Sequence, residues 1–116
     1  MIKIHSIELP LPSDKAARWE MKVDLSGKRY GFYIAYNTRQ DAWFMSILDV
    51  NGELLIAGLR LVTGTSFLDK YRASVPELPP GELHLADREA KKAAAEVTRD
   101  NLNNRFALVY TVYEEE

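Results

Sequence analysis

From Arg29 to Gly64 the chain reads RYGFYIAYNTRQDAWFMSILDVNGELLIAGLRLVTG, three strand patterns in succession joined by two connections. Tyr30, Phe32, Ile34 and Tyr36 alternate with Gly31, Tyr33, Ala35 and Asn37, the period of two that puts one set of side chains on one face of a strand. Trp43 to Leu48 forms the second pattern and Leu54 to Val62 the third. Between them, the Asn-Gly pair of Asp49-Val50-Asn51-Gly52-Glu53 tolerates positive φ and predicts a two-residue hairpin. The third pattern is apolar on both parities, as in a strand covered on both sides, and Gly58 in its middle predicts a bulge.

The flanks continue the pattern. Trp19, Met21, Val23 and Leu25 alternate with Arg18, Glu20, Lys22 and Asp24, so one face meets a core and the other meets water or a partner. Ser26-Gly27-Lys28 turns this strand into the central run. At the N-terminus Ile2 and Ile4 share one parity while Ile7, Leu9 and Leu11 share the other, which predicts a bulge near Ser6. Pro10 and Pro12, unable to donate to a ladder, end that strand. Downstream, Ser66 is placed to cap a short helix through Leu68 and Tyr71, and Pro76, Pro79, Pro80 and Gly81 impose an extended loop. Leu83 and Leu85 mark a short strand, Asp87 to Val97 an alanine-faced helix, and Phe106 to Tyr113 a final strand. The expected fold is a single mainly-β domain over residues 1–116, a small antiparallel barrel or sandwich with one or two short helices.

A chain of 116 residues buries roughly two-thirds of its unfolded surface, enough to fold without staples. With no cysteine there is no disulfide framework and no thiolate metal site. The longest apolar runs fall far short of the roughly twenty residues that span a bilayer, and Met1 to His5 lacks a signal peptide's apolar core. A soluble chain kept in a cytoplasm, or assembled there, is expected. Net charge is −2, so no long-range positive field draws in a phosphate backbone, and Glu114-Glu115-Glu116 reads as a solvated acidic end.

Signatures of chemistry are absent. His5 and His84 stand in separate strands and match no zinc spacing, even with Asp87 nearby, so neither a metal nor another cofactor is expected. Ser66 and Ser74 have no nucleophile elbow, and there is no Walker loop or Gly-x-Gly-x-x-Gly turn. Asp24, Asp49 and Asp100 sit beside turn residues, where carboxylates cap the backbone. Nothing here marks an enzyme. The aromatics near Lys28, Arg29 and Arg39 allow one alternative, a small β-barrel stacking single-stranded nucleic acid, but aromatics at strand period ordinarily fill a core.

Taken in order, Tyr36-Asn37-Thr38-Arg39 with Asp41 and Trp43, Asp49-Val50-Asn51-Gly52, Gly58 to Gly64 with Leu68 and Tyr71, Pro79-Pro80-Gly81-Glu82-Leu83, Thr98 to Leu102 and Leu108-Val109-Tyr110 resemble the small baseplate plug proteins of tailed phages, the cyanophage plug family among them. The resemblance runs from about residue 17 to residue 113. It implies a non-enzymatic virion protein of the tail baseplate, assembled in the bacterial host cytoplasm. Such a protein packs with hub and tail-tube proteins, associates with itself in a ring, and closes or lines the distal end of the tail tube until ejection. A tail adaptor is the neighbouring alternative, and no membrane or specific nucleic acid is implied as partner. Strand edges and the polar, irregular segment from Pro76 to Asn104 are where contacts with neighbours are expected, with Arg39, Arg88, Lys91, Lys92, Arg99 and Asp100 as candidate interface residues.

Overall fold

The computed structural model describes residues 2–9, 17–89, 97–98, 102 and 105–115. Seven strands follow in order: β1 (Ile2–Glu8), β2 (Arg18–Leu25), β3 (Lys28–Asn37), β4 (Ala42–Leu48), β5 (Leu54–Arg60), β6 (Glu82–Asp87) and β7 (Phe106–Glu115). All pairings among them are antiparallel and they build two sheets, β2-β3-β4-β5 and β1-β7-β6. No ladder among the described residues joins the sheets, so the expected barrel is not closed.

The alternation decides which side faces in. Tyr30, Phe32 and Ile34 of β3, Met45 and Ile47 of β4, Leu83 and Leu85 of β6 and Leu108 and Tyr110 of β7 are all buried in one cluster shared by both sheets. Trp43 joins them, its ring 5.3 Å from the rings of Trp19 and Tyr36 in edge-on contacts that aromatic quadrupoles favour. The loop between β5 and β6 adds Leu61, Phe67, Leu68 and Leu78 to the same core.

The tightest hairpin is not the Asn-Gly one. Leu25 pairs directly with Lys28, and Ser26 and Gly27 take φ of 54° and 85°, the positive pair that matches the twist of a two-residue hairpin. At Asp49–Glu53 Gly52 takes φ 82° and its N–H reaches the Asp49 carbonyl at 3.0 Å, a wider turn that ends in a glycine bulge. Asp49 explains the difference. Its carboxylate accepts the N–H groups of Asn51 and Glu53, both at 2.9 Å, and so holds a turn with no need of positive φ at Asn51. Asp24, expected to cap backbone in the same way, instead receives the Arg29 guanidinium at 3.1 Å across the β2–β3 hairpin.

β5 is an edge strand and not a central one. Between the pairs Met45–Leu59 and Ile47–Ile56 it spends an extra residue, and Gly58 there takes φ 71°. The bulge expected at Gly58 therefore stands, and it switches the strand's phase: Ile56 points inward before it, Leu59 and Leu61 after it. Leu54 and Val62 remain exposed, so the apolar residues on both parities reflect this switch and not cover on both faces.

At the N-terminus no bulge occurs. β1 pairs with β7 one residue to one from Ile2–Glu115 to Glu8–Val109, and Ile7 lies exposed. Glu114 and Glu115 belong to this ladder and are not a loose end. The helix placed after Ser66 reduces to a 3₁₀ turn at Asp69–Tyr71, with Leu68 and not Ser66 in the capping position. Asp87, expected to start a helix, closes β6, and Arg88 and Glu89 form a turn; the remainder of that expected helix lies outside the described residues, as do Pro10 and Pro12.

Ser66 itself carries a prediction. Its hydroxyl is buried with no hydrogen-bond partner, so it contributes a desolvation cost and no bond. Ser66→Ala is expected to leave stability unchanged or raise it by up to about 1 kcal/mol in urea unfolding. A true helix cap would lose about 1 kcal/mol on the same change.

Candidate partner interface

Charge gathers where β6 ends and β7 begins. Arg105, on the turn into β7, donates through Nε and Nη2 to the two carboxylate oxygens of Asp87 at 3.0 and 2.9 Å, the paired geometry that suits a guanidinium. Glu89 Oε2 lies 3.2 Å from the same Nε, and the guanidinium stands 5.2 Å from the centre of the Phe106 ring. The Asp87 hydrogen bond, with attraction to Asp87 and Glu89 against some loss of hydration, holds the Arg105 pKa above its ordinary value. Arg88 pairs with Glu8 of β1 through its guanidinium, and its main-chain N–H donates to the Arg105 carbonyl at 2.8 Å. Three strands are thus tied at one end by ionic contacts.

The crossover between β6 and β7 is also fastened to the other sheet. Trp43, next to the β3–β4 turn, donates from Nε1 to the Thr98 carbonyl at 2.9 Å, and Leu102 bridges to Phe106. Arg39 is exposed on that β3–β4 turn, where the Asn37 side chain accepts the Gln40 N–H at 3.0 Å and the Tyr36 hydroxyl meets Asp41. Of the candidate interface residues, then, Arg39 stands on a turn of one sheet and Arg88 at the end of a strand of the other. Lys91, Lys92, Arg99 and Asp100 lie outside the described residues.

The segment from Pro76 onward is less peripheral than its composition implies. Leu78, Pro79, Gly81, Leu83 and Leu85 are buried. Arg72 organises the approach: its Nη1 donates to the Pro79 carbonyl at 2.8 Å and its Nη2 to the Gly81 carbonyl. Tyr110 locks the next step, its hydroxyl accepting the Gly81 N–H at 2.7 Å and lying 2.9 Å from the Ser26 hydroxyl of the opposite sheet. Sequence reasoning placed Tyr110 on the final strand without its hydroxyl's role, and missed Arg72 and Arg105. Their roles depend on which strands become neighbours, and no local spacing announces that.

The outer face of the four-stranded sheet holds an open groove of about 710 Å³. Gly31 forms part of its lining, with Lys22, Tyr33, Ser46, Leu48 and Leu54 around it. Tyr30, Phe32 and Trp43 point the other way into the core, so they offer no stacking surface to a nucleic acid. His84 of β6 stands opposite Val109 and His5 of β1 opposite Val112, on either side of β7 and out of step along it.

Tyr30 provides a pH dependence. Its hydroxyl donates to the Glu77 carbonyl at 3.1 Å, and burial, then the nearby Tyr110, raises its pKa above the ordinary 10.0. The folded state therefore holds this proton more tightly than the unfolded one. The resulting stability is complete below about pH 10 and is lost as pH rises through the folded pKa. Melting temperatures followed by circular dichroism are expected to hold from about pH 8 to about pH 10 and fall above that. Tyr30→Phe should lose about 1 kcal/mol at neutral pH through the missing hydrogen bond, and fall less steeply on the alkaline side.

The family model described as cyanophage baseplate Pam3 plug gp18 matches residues 6–114. No curated protein matches the chain.

Proposed function

Because this chain belongs to the cyanophage baseplate plug family, we propose that it closes or lines the distal end of a phage tail tube until the genome is ejected. The match over residues 6–114 carries this reading, since it takes in strands of both sheets and the connection between β6 and β7. In the proposed role the protein contacts hub and tail-tube subunits, associates with itself in a ring, and is assembled in the bacterial host cytoplasm. The work is mechanical and uses neither catalysis nor a cofactor.

A plug must bind firmly during assembly and yield when the baseplate is triggered. Many modest contacts suit this, because a shift in the neighbours' geometry then changes the binding free energy enough to release or rearrange the subunit. The exposed turn carrying Arg39 and the ionic end formed by Glu8, Asp87, Arg88, Glu89 and Arg105 supply polar contacts of that kind. Of these pairs, Arg88–Glu8 is the exposed one, and exposed pairs are individually weak, which fits a reversible interface. Lys91, Lys92, Arg99 and Asp100 are proposed as further contacts with neighbours.

Immunogold labelling of purified phage particles, with antibody raised against the recombinant chain, tests the role. Label at the distal tail end that disappears on triggered ejection supports a released plug, and label that stays supports a fixed hub piece. Particles without label, where disrupted virions also show none, overturn the virion role.

A further inference from the structure

β2 is bonded on one side only. β3 lies along it from Arg18–Ala35 to Leu25–Lys28, and among the described residues no strand lies on its other side. The register determines which backbone groups that open edge presents. Leu25 and Lys28 close a two-residue hairpin and so form a hydrogen-bonded pair, and the Ala17 carbonyl accepts the Tyr36 N–H at 2.8 Å in the same phase. Odd-numbered residues from 17 to 25 therefore bond toward β3. Arg18, Glu20, Lys22 and Asp24 direct their N–H and C=O groups to the open edge.

The same four residues have exposed side chains, and their charges alternate in sign along the strand. Such a strand is its own complement when reversed about Met21. Arg18 then faces Asp24 of the partner subunit and Glu20 faces Lys22 of the partner subunit, each facing pair of opposite charge and each able to exchange both backbone hydrogen bonds. Slipping the register by two residues in either direction sets Glu20 against Glu20 of the partner subunit or Lys22 against Lys22 of the partner subunit, so the charges select one alignment.

We propose that β2 pairs antiparallel with β2 of a second copy of this chain, across a two-fold axis at Met21, to join two four-stranded sheets into one. Asp24 already holds Arg29 at 3.1 Å in an exposed pair, and Arg18 of the partner subunit joins it there. On the core side Trp19, Met21 and Val23 are half-buried, and the pairing sets Trp19 beside Val23 of the partner subunit. The contact also covers a regular eight-residue edge, whereas the opposite edge, β5, is broken by its glycine bulge. A two-fold contact closes at two copies, so it is separate from any ring and does not depend on the plug role.

Sedimentation velocity on the full chain tests this. The wild-type protein is expected to run as a dimer at ~100 μM and to dissociate as salt is raised. Glu20→Lys and Lys22→Glu each replace attraction by repulsion at both symmetric sites, so each variant alone should self-associate about a hundredfold more weakly. Mixed together they restore opposite charges at these sites and should form a heterodimer. Both side chains are exposed, and an unchanged circular dichroism melt verifies the fold of each variant. A monomeric wild type, a dimeric single variant, or a folded mixture that stays monomeric overturns the proposal.

Discussion

Replacing Gly81 by alanine is expected to destabilise the protein by about 3 kcal/mol or more, at the upper end of what overpacking does. A β-carbon built on Gly81 would lie 2.5 Å from the Thr111 carbonyl oxygen, 2.6 Å from Tyr110 Cζ and 2.7 Å from Val112 Cγ2. The first of these is backbone of β7, the central strand of its sheet, with β1 on one side and β6 on the other. It cannot step aside without straining both ladders. The Tyr110 ring is held too, because its hydroxyl accepts the Gly81 N–H and meets Ser26 in the other sheet. Relief would thus loosen the link between sheets. Two other glycines calibrate the result. Gly31→Ala meets Leu48 Cβ at 3.4 Å, ordinary contact, and should be neutral or stabilising by roughly 0.5 kcal/mol. Gly27→Ala meets nothing within 4 Å but is held at φ 85°, and should lose about 1 kcal/mol from backbone strain alone. Thermal or urea unfolding of the three variants should rank them Gly81, Gly27, Gly31 in order of loss.

Gly81 was legible in the sequence only as part of a Pro-rich loop. The reason is physical: its constraint comes from β7, whose nearest point of approach is about thirty residues further along the chain, and no local pattern encodes that contact. The strands were legible for the opposite reason. In β2 and β3 one face meets the core and one meets solvent, so the period of two is written in residue type. β5 shows how the same reading fails. Gly58 shifts the inward parity from Ile56 to Leu59, and apolar residues on both parities then imitate a strand buried on both faces.

Turns failed through competition between equally good local solutions. Asn51-Gly52 suits a two-residue hairpin, but Asp49 offers two side-chain hydrogen bonds to a wider one. At Ser26-Gly27 the equivalent carboxylate, Asp24, is engaged by Arg29 at 3.1 Å, and the turn takes the tight form. The candidate interface was legible only as exposed charge. Arg39 and Arg88 could be named from composition, yet the Asp87–Arg105 pair joins residues 18 apart whose meeting depends on the β6–β7 register. The family resemblance rested on the order of short motifs, and the family model matches residues 6–114 although single motifs misjudged their own geometry.

Phe32→Ala and Tyr33→Ala separate the two faces of the central sheet, and they are expected to differ by several kcal/mol. Phe32 is 1% exposed, paired across β3 with Met21 on one side and Ile47 on the other, and surrounded by the core shared between the sheets. Removing its ring leaves a cavity whose walls are held by two ladders, so the loss should reach about 3–5 kcal/mol. Tyr33 follows it in sequence but faces the outer groove, opposite Glu20 and Ser46, half-buried and open to water. Its truncation should lower stability by about 1 kcal/mol or less. Equilibrium urea unfolding measures both, and equal losses would mean that the outer face is packed as tightly as the core. The difference also bears on function. Tyr30, Phe32 and Trp43 on the inner face of β3 and β4 hold the sheets together, and on the outer face is a groove edged by Lys22, Tyr33, Leu48 and Leu54. The proposed plug role draws on this division, with a tightly packed core to keep the subunit's shape and an outer surface for contacts with neighbours.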